Sequence, residues 1–124
     1  MKHGGIVIVA AISPYADTRQ EARNMVGDNF IEVHVSTPLE ECEKRDAKGF
    51  YQRARRAVAE GKGMGFTGID DPYEAPPSPE VELNSSGSTD AETAAQRVMD
   101  HLANRGYVQP SLHESINMRM SAVN

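Results

Sequence analysis

The feature that most constrains the fold is an uninterrupted apolar run near the start of the chain, Gly4-Gly5-Ile6-Val7-Ile8-Val9-Ala10-Ala11-Ile12. The run is rich in β-branched residues and has no polar position, which favours a strand buried on both faces, as in a parallel sheet. It is far shorter than the roughly 18 apolar residues of a membrane span. Ser13-Pro14-Tyr15 ends the run, because proline cannot donate to a strand ladder. We therefore expect a central strand over residues 4–12 with a turn directly after it.

The composition of the 124 residues suits one globular domain, or a piece of a larger one. The net charge of −5 argues against nucleic acid as a partner of the whole surface, and no stretch is apolar enough to make a membrane a partner. Met1-Lys2-His3 lacks the layout of a signal peptide. A single cysteine, Cys42, forms no internal disulfide, which favours a reducing compartment. We expect a cytoplasmic protein.

Helical and strand signals alternate in the first third of the chain. A helix is expected from about residue 18 to 26, with Asp17 or Thr18 as its cap and Gly27 at its end. Residues 30–35 form a second apolar, β-branched run, which predicts a strand.

The next helix has a clear start signal, in which Thr37 caps, Pro38 takes the first helical position and Glu40 completes a capping box. This helix should run to about Asp46. A basic helical segment is expected over residues 50–60 and ends in a glycine-rich stretch.

The remainder begins with a turn-rich loop over residues 66–79 and a short strand over residues 81–83. Thr89-Asp90-Ala91-Glu92 is a second capping box, and the helix that it opens ends near Gly106. Its apolar stripe consists of Ala91, Ala94, Ala95, Val98 and Leu102.

This order of elements predicts an α/β fold, with a parallel sheet that is flanked by helices. Ligands of such sheets bind beyond the carboxyl ends of the strands. The loops to inspect are therefore Ser13-Pro14-Tyr15, Ser36-Thr37 and residues 85–88.

Ser13 is the first candidate for a functional residue, because it directly follows a buried strand and can present a hydroxyl and a backbone N–H to a ligand. From the local sequence alone, the alternative is a plain turn that terminates the strand.

A cationic segment is the second candidate. Arginine forks suit phosphate and sulfate, and a closing basic segment excludes water from phosphoryl transfer. The alternative is a solvated helix face, neutralised by acidic residues just upstream. The cations are Lys44, Arg45, Lys48, Arg53, Arg55 and Arg56.

Phe66 is the third candidate, since it lies in a loop between Gly65 and Gly68. An aromatic side chain there suits stacking on a planar ring such as a purine. It suits equally well a hydrophobic pin beneath the loop.

Two kinds of site have no sequence signal. The chain contains no G-x-x-x-x-G-K-[ST] phosphate loop, and Gly61-Lys62-Gly63-Met64-Gly65 has the wrong spacing for one. The histidines are isolated and the cysteine is single, so no metal cluster is expected.

Several separated motifs, in one order, resemble the adenylyl-sulfate kinase (APS kinase) family. They are VAAISPY at residues 9–15, EARNMVG at 21–27, CEKRDAKG at 42–49 with Tyr51 and Ala54-Arg55, and FTGIDDPYE at 66–74. The last is the family's most specific stretch, and the resemblance covers residues 5–107.

The resemblance implies a P-loop NTPase-like kinase fold. It also implies transfer of a phosphoryl group from ATP with Mg²⁺ to the 3′-hydroxyl of adenosine 5′-phosphosulfate (APS), which yields PAPS in sulfate assimilation. The implied partners are the two nucleotides, a second copy in a homodimer, and a fused or associated sulfate adenylyltransferase.

Site residues follow from the resemblance position by position. Ile12 and Ser13 are similar to the strand-end contacts of APS, and Ser13 matches a serine described in parts of the family as a phosphorylated, catalytic intermediate. Lys48 resembles an APS contact in the lid. Phe66, with the backbone of Gly65, resembles the aromatic residue that stacks on the APS adenine.

Two further positions resemble the ATP side of the family's site. Arg45 is similar to an arginine there, and Ser88 lies in the loop that borders the ATP base. The resemblance implies no metal ligand among these residues.

The sequence departs from the family pattern at two points. Residues 56–65 form a longer connection than usual, and the phosphate loop and the segment with the family's aspartate do not occur. We therefore expect residues 1–109 to be the C-terminal part of a kinase domain whose N-terminal part is missing. The lid should span about residues 45–74, and residues 110–124 should form a flexible tail.

Without a phosphate loop the chain should be inactive alone. The alternative is a non-catalytic remnant that binds a nucleotide or a protein partner.

Overall fold

The computed structural model describes residues 4–84, 86 and 90–109. The expectations for Ser88 and for residues 110–124 lie outside this part of the chain. The chain divides into two compact units, Met1–Phe30 with Glu43–Pro77 and Ile31–Cys42 with Ser78–Asn124. Each unit is described by itself.

Helix α1, Ala16–Val26, is the first element of the first unit and leads into a 3₁₀ turn at Gly27–Asn29. Gly27 ends α1 as expected, with φ +70° and its N–H donated to the Arg23 carbonyl. The expectation that Asp17 or Thr18 caps the helix is wrong. The cap residue is Tyr15, whose side chain makes no capping bond. The Glu74 carboxylate instead accepts the N–H of Ala16, the first residue of the helix, at 2.6 Å.

Helices α2, Leu39–Arg45, and α3, Phe50–Ala59, follow. Helix α2 ends at Arg45, one residue before the expected end at about Asp46. The Asp46 carboxylate accepts the N–H groups of Tyr51 at 3.2 Å and Gln52 at 3.0 Å, the free donors of the first turn of α3. Ala54 of α3 is fully buried. No helix in the described part of the chain combines the length and apolarity needed to cross a membrane.

The second unit holds a two-stranded parallel sheet of β1, Val33–Val35, and β2, Val81–Leu83. Val33 lies opposite Val81, and Val35 lies opposite Leu83. Helix α4, Ala91–Asn104, packs against β2, whose two apolar side chains are buried. A parallel sheet with flanking helices confirms the predicted α/β class, although β1 is shorter than expected.

The cap of α4 differs from the expected capping box. Asp90 is the N-cap residue, and its carboxylate accepts the Thr93 N–H at 2.7 Å, while Thr89 lies outside the described residues. At the other end, Gly106 follows the helix with φ +75°. The predicted end of α4 is thus confirmed.

The central strand expected over residues 4–12 is wrong. These residues form no ladder with any described segment, and their side chains are exposed, Ile8 at 87% and Val9 at 80%. A strand exists only where a neighbouring backbone accepts and donates its hydrogen bonds. Within the described residues, the run has the composition of a buried strand but lacks that neighbour.

Candidate functional site

The first part of the candidate site is the backbone turn at Ser13, directly after the apolar run. Ser13 has φ +44°, in the left-handed region that a residue with a Cβ adopts only at a cost of about 1–2 kcal/mol. Its carbonyl accepts a hydrogen bond of 2.7 Å from Nη1 of Arg19, one turn into α1. A charged donor thus holds the strained turn.

The segment around Glu74 also fixes the Ser13 turn. The Glu74 N–H donates to the Pro14 carbonyl at 2.9 Å, and its carboxylate accepts the Ala16 N–H. The Glu74 carbonyl accepts Nη2 of Arg19 at 2.5 Å.

Tyr15 and Asp71 make a second connection between the Ser13 turn and the loop that follows Phe66. The Tyr15 hydroxyl donates to the Asp71 carboxylate, 3.0 Å from Oδ2 and 3.2 Å from Oδ1. This hydrogen bond, together with the negative charge of Asp71, raises the pKa of the Tyr15 phenol. Tyr15 therefore stays a neutral donor at physiological pH.

The loop that carries Phe66 is organised by Asp70. Its carboxylate accepts three consecutive backbone N–H groups, from Met64 at 2.6 Å, Gly65 at 3.0 Å and Phe66 at 2.6 Å. These donors lower the pKa of Asp70, most strongly through Phe66. A Cβ at Gly63 would lie 3.0 Å from Oδ2 of Asp70, so the position favours glycine.

The Phe66 ring is half-buried and meets Tyr51 of α3 edge to face, with centroids 5.2 Å apart at 67°. Part of the ring therefore packs against α3, and the rest is accessible. The two interpretations of Phe66, as a pin and as a stacking surface, are compatible, because an anchored ring loses little freedom when a planar ligand stacks on it.

The cations of the basic segment around α3 are partly engaged with neighbours. Arg55 pairs with Glu43 at 2.5 Å, a contact that raises the pKa of the guanidinium. Arg53 lies 4.6 Å over the Phe50 ring and donates to the Lys48 carbonyl at 3.3 Å. Acidic residues upstream thus neutralise part of the basic segment.

The structure links two of the regions that the sequence singled out. Asp71, which accepts the Tyr15 hydroxyl, donates its N–H to the Phe66 carbonyl at 3.2 Å. The Ser13 turn and the Phe66 loop are therefore joined by contacts within one unit, and Phe66 contacts α3 through Tyr51.

The other predicted site residues have the following places. Ile12, immediately before the turn, is 70% exposed. Gly65 precedes Phe66 with φ +62°. Arg45 is the last residue of α2, and Lys48 lies between α2 and α3. The described contacts do not bring these two cations to Ser13.

Sequence reasoning missed Arg19, Glu74 and Asp70 as organising residues. Arg19 and Glu74 are 55 positions apart, and no local pattern announces such a pair. Asp70 did have a signal, since an aspartate four residues after Phe66 in a glycine-rich loop is typical of a side chain that binds its own backbone.

The described residues form no site for a metal ion or for the phosphates of ATP. Nowhere in the described ranges do three His, Cys, Asp or Glu side chains converge as ligands. The acidic groups at the site, Asp70, Asp71 and Glu74, already accept protein donors. These residues do not fit a magnesium ion, and the sequence has no loop to hold the β- and γ-phosphates.

Comparisons with known proteins agree on one family. The model of the family described as adenylylsulphate kinase matches residues 1–84. The adenylyl-sulfate kinase of a Picosynechococcus species is 51% identical over 109 residues, which cover 88% of this chain and 58% of the relative. That of Halothermothrix orenii is 46% identical over 103 residues, covering 83% and 52%.

A solved structure agrees with these sequence matches. The APS kinase of Mycobacterium tuberculosis, in complex with AMPPNP and APS, is 42% identical. It matches with a TM-score of 0.63 over 78% of this chain and 54% of that one. The chain thus spans somewhat more than half the length of these curated relatives.

Proposed function

This chain belongs to the adenylylsulphate kinase family, and we propose that its residues form the APS-binding part of such a kinase. The observation that carries the proposal is the half-buried Phe66 ring, which Tyr51 contacts and whose backbone N–H Asp70 accepts. Asp71 links this loop to Tyr15, in the turn at the end of the apolar run. A preordered aromatic surface suits a nucleotide whose adenine stacks on it.

In this proposal each site residue has a stated role toward APS. Phe66 stacks on the adenine, and the backbone of Gly65 lies along it. Ile12 and Ser13 contact the nucleotide at the turn, and the Lys48 ammonium neutralises its phosphosulfate. Ser13 orients the substrate by hydrogen bonds; any phosphorylation of its hydroxyl belongs to the complete enzyme.

The reaction that we propose for the complete kinase transfers the γ-phosphoryl group of ATP, with Mg²⁺, to the 3′-hydroxyl of APS and gives PAPS. In-line transfer depends on positioning and on neutralised charge. This chain contributes positioning, and Arg45 and Ser88 are proposed for the ATP side. Because no phosphate loop occurs in the sequence, a polypeptide of these 124 residues should not turn over APS.

The missing phosphate loop motif also favours a second candidate function, a non-catalytic module that binds a nucleotide or a protein partner. Both candidates share the Phe66 surface. They differ in whether the sequence, joined to a phosphate-loop half of a relative, regains turnover: the first predicts that it does, and the second that it does not.

The decisive test of the APS site is calorimetric titration of APS into the 124-residue chain and into Phe66→Ala. Loss of a stacked base costs about 1–3 kcal/mol, so we expect APS affinity to fall about 5- to 150-fold. Phe30→Ala is the matched control, since Phe30 lies under the Arg23 guanidinium, 4.9 Å away, rather than in the lid.

Equal APS affinity of Phe66→Ala and Phe30→Ala would refute the stacking role. Far-ultraviolet circular dichroism of both variants shows whether the helices are retained, so that a loss of binding is not a loss of fold. An ADP-release assay on the same samples should show no turnover with ATP, Mg²⁺ and APS.

We further propose cytoplasmic localisation, a homodimer for the complete enzyme, and a fused or associated sulfate adenylyltransferase that supplies APS. The single cysteine supports a reducing compartment.

A further inference from the structure

The backbone of Ser13 has a conformation that its own side chain does not favour. Among the described non-glycine residues, Ser13 alone has a positive φ, at +44°. Glycine would adopt this φ without strain, whereas any residue with a Cβ must be held in it by its surroundings.

The Arg19 side chain holds Ser13 in this conformation by hydrogen bonds. Its Nη1 donates to the Ser13 carbonyl at 2.7 Å, and its Nη2 donates to the Glu74 carbonyl at 2.5 Å. One planar guanidinium thus joins two carbonyl groups from segments that are distant in the sequence. Lysine cannot reproduce the arrangement, because its ammonium is a single point of charge without the rigid fork.

The Glu74 end of this bridge is itself fixed. The Glu74 N–H donates to the Pro14 carbonyl at 2.9 Å, and its carboxylate accepts the Ala16 N–H at 2.6 Å. Arg19 therefore pulls the Ser13 carbonyl toward an anchored segment. Glu74 also lies three residues after Asp71, which connects to the Phe66 loop.

We propose that Arg19 is a positioning residue of the APS site, which keeps Ser13 in the left-handed conformation that presents its backbone and hydroxyl to the nucleotide. The proposal rests on the proposed function and deepens it, since Arg19 acts through Ser13 rather than by touching APS. Without the guanidinium, the φ of Ser13 relaxes to negative values and the peptide groups on either side of it rotate.

The test compares Arg19→Gln in two backgrounds, Ser13→Ala and Ser13→Gly. Both backgrounds lack the hydroxyl, and they differ only in whether position 13 tolerates a positive φ. APS affinity of all four chains is measured by calorimetry. We expect Arg19→Gln to lower APS affinity about tenfold in Ser13→Ala, by loss of a charge-assisted hydrogen bond, and less than twofold in Ser13→Gly.

Equal losses in the two backgrounds would overturn the proposal, because a merely structural role of Arg19 does not depend on the Cβ at position 13. Arg23→Gln is the matched control on the same helix, one turn further along. Its guanidinium lies over Phe30, so we expect the same small effect in both backgrounds.

A second measurement does not depend on APS. A positive φ brings the amide and α protons of one residue close together, so it gives a strong intraresidue nuclear Overhauser effect. We expect this signal for Ser13 in the unmodified chain and its loss in Arg19→Gln. If circular dichroism shows that Arg19→Gln has lost its helices, Arg19→Lys is used in its place, and the signal should be lost there too. Retention of the signal in the folded variant would overturn the proposal.

The two measurements separate the two hypotheses. If the unmodified chain binds no APS, the proposed function fails, and the Overhauser signal still decides whether Arg19 holds Ser13. If APS binds and Phe66→Ala weakens it, but Arg19→Gln leaves Ser13 unchanged, the proposed function stands and the role of Arg19 is wrong.

Discussion

At the scale of single residues, three aspartate carboxylates accept backbone N–H groups at different places in the chain. Asp46 accepts N–H groups at the start of α3, Asp70 accepts those of the Phe66 loop, and Asp90 accepts that of Thr93 in α4. Backbone donors favour the ionised carboxylate and lower the pKa of all three. The backbone at the start of α3 and in the Phe66 loop is thus held by anionic side chains, although this part of the chain carries many cations.

The lowered pKa of Asp70 makes the Phe66 loop sensitive to acid, with a definite sign. A carboxyl group whose pKa is lower in the folded state than the ordinary value of 3.8 stabilises the fold fully above that value. This contribution is lost as the pH falls through the lowered pKa. We expect the amide proton signals of Met64 and Phe66 to be nearly constant above the ordinary value of 3.8 and to shift upfield together only as the pH falls below it.

Asp70→Asn is the matched control for this titration. Its amide has no ionisation in this range, so the same signals should start upfield and stay flat with pH. Signals of Met64 and Phe66 that titrate identically in Asp70→Asn would show that another group controls the loop.

Some features of single residues could be predicted from the sequence, and others could not. The Phe66 surface could be predicted because glycines flank it within a few positions. The strain at Ser13 could not, because it depends on Arg19 and Glu74, whose contact spans 55 positions. Local propensity fixes which turns are allowed, but a long-range charged group selects among them.

At the scale of elements, local signals predicted existence better than boundaries. The strand at Val81–Leu83 and the helix at Phe50–Ala59 are where apolar periodicity and glycine breakers place them. Helix α1 begins two residues early, at Ala16, since Glu74 receives its first N–H. Where another part of the chain caps a helix, the start of that helix cannot be predicted from the local sequence.

Helix α3 depends on one small buried residue, Ala54, which has no exposed surface. We expect Ala54→Leu to destabilise the chain by about 1–3 kcal/mol, because a larger side chain in a packed position forces its neighbours apart. Urea denaturation followed by circular dichroism measures the change.

The same substitution at Ala59, exposed at the end of α3, is the control and should change the free energy of unfolding by less than about 0.5 kcal/mol. A loss at Ala59 as large as that at Ala54 would mean that leucine acts through helix propensity or solubility, and not through packing.

At the scale of the whole molecule, the described residues bury few apolar side chains. Their buried residues are Ala54, Pro76, Val81 and Leu83. The longest apolar run, residues 4–12, is exposed, although its composition predicts a central strand. Composition reports what a segment would bury and says nothing of which backbone it pairs with, so the class of the fold was predictable while the number of strands was not.

The exposed run has a consequence for the behaviour of the chain in solution. Unpaired strand-like backbone with adjacent apolar side chains favours pairing with another copy. We expect the chain to self-associate, and Ile8→Glu to shift its mass toward the 13.5 kDa of one copy, since the charge opposes stacking of the run. Sedimentation velocity over a concentration series measures the distribution of masses.

Met25→Glu is the control for this prediction, because Met25 is 80% exposed but lies on α1, whose backbone is already paired. If both glutamates reduce self-association equally, net charge is the cause; if neither does, residues 4–12 do not mediate it.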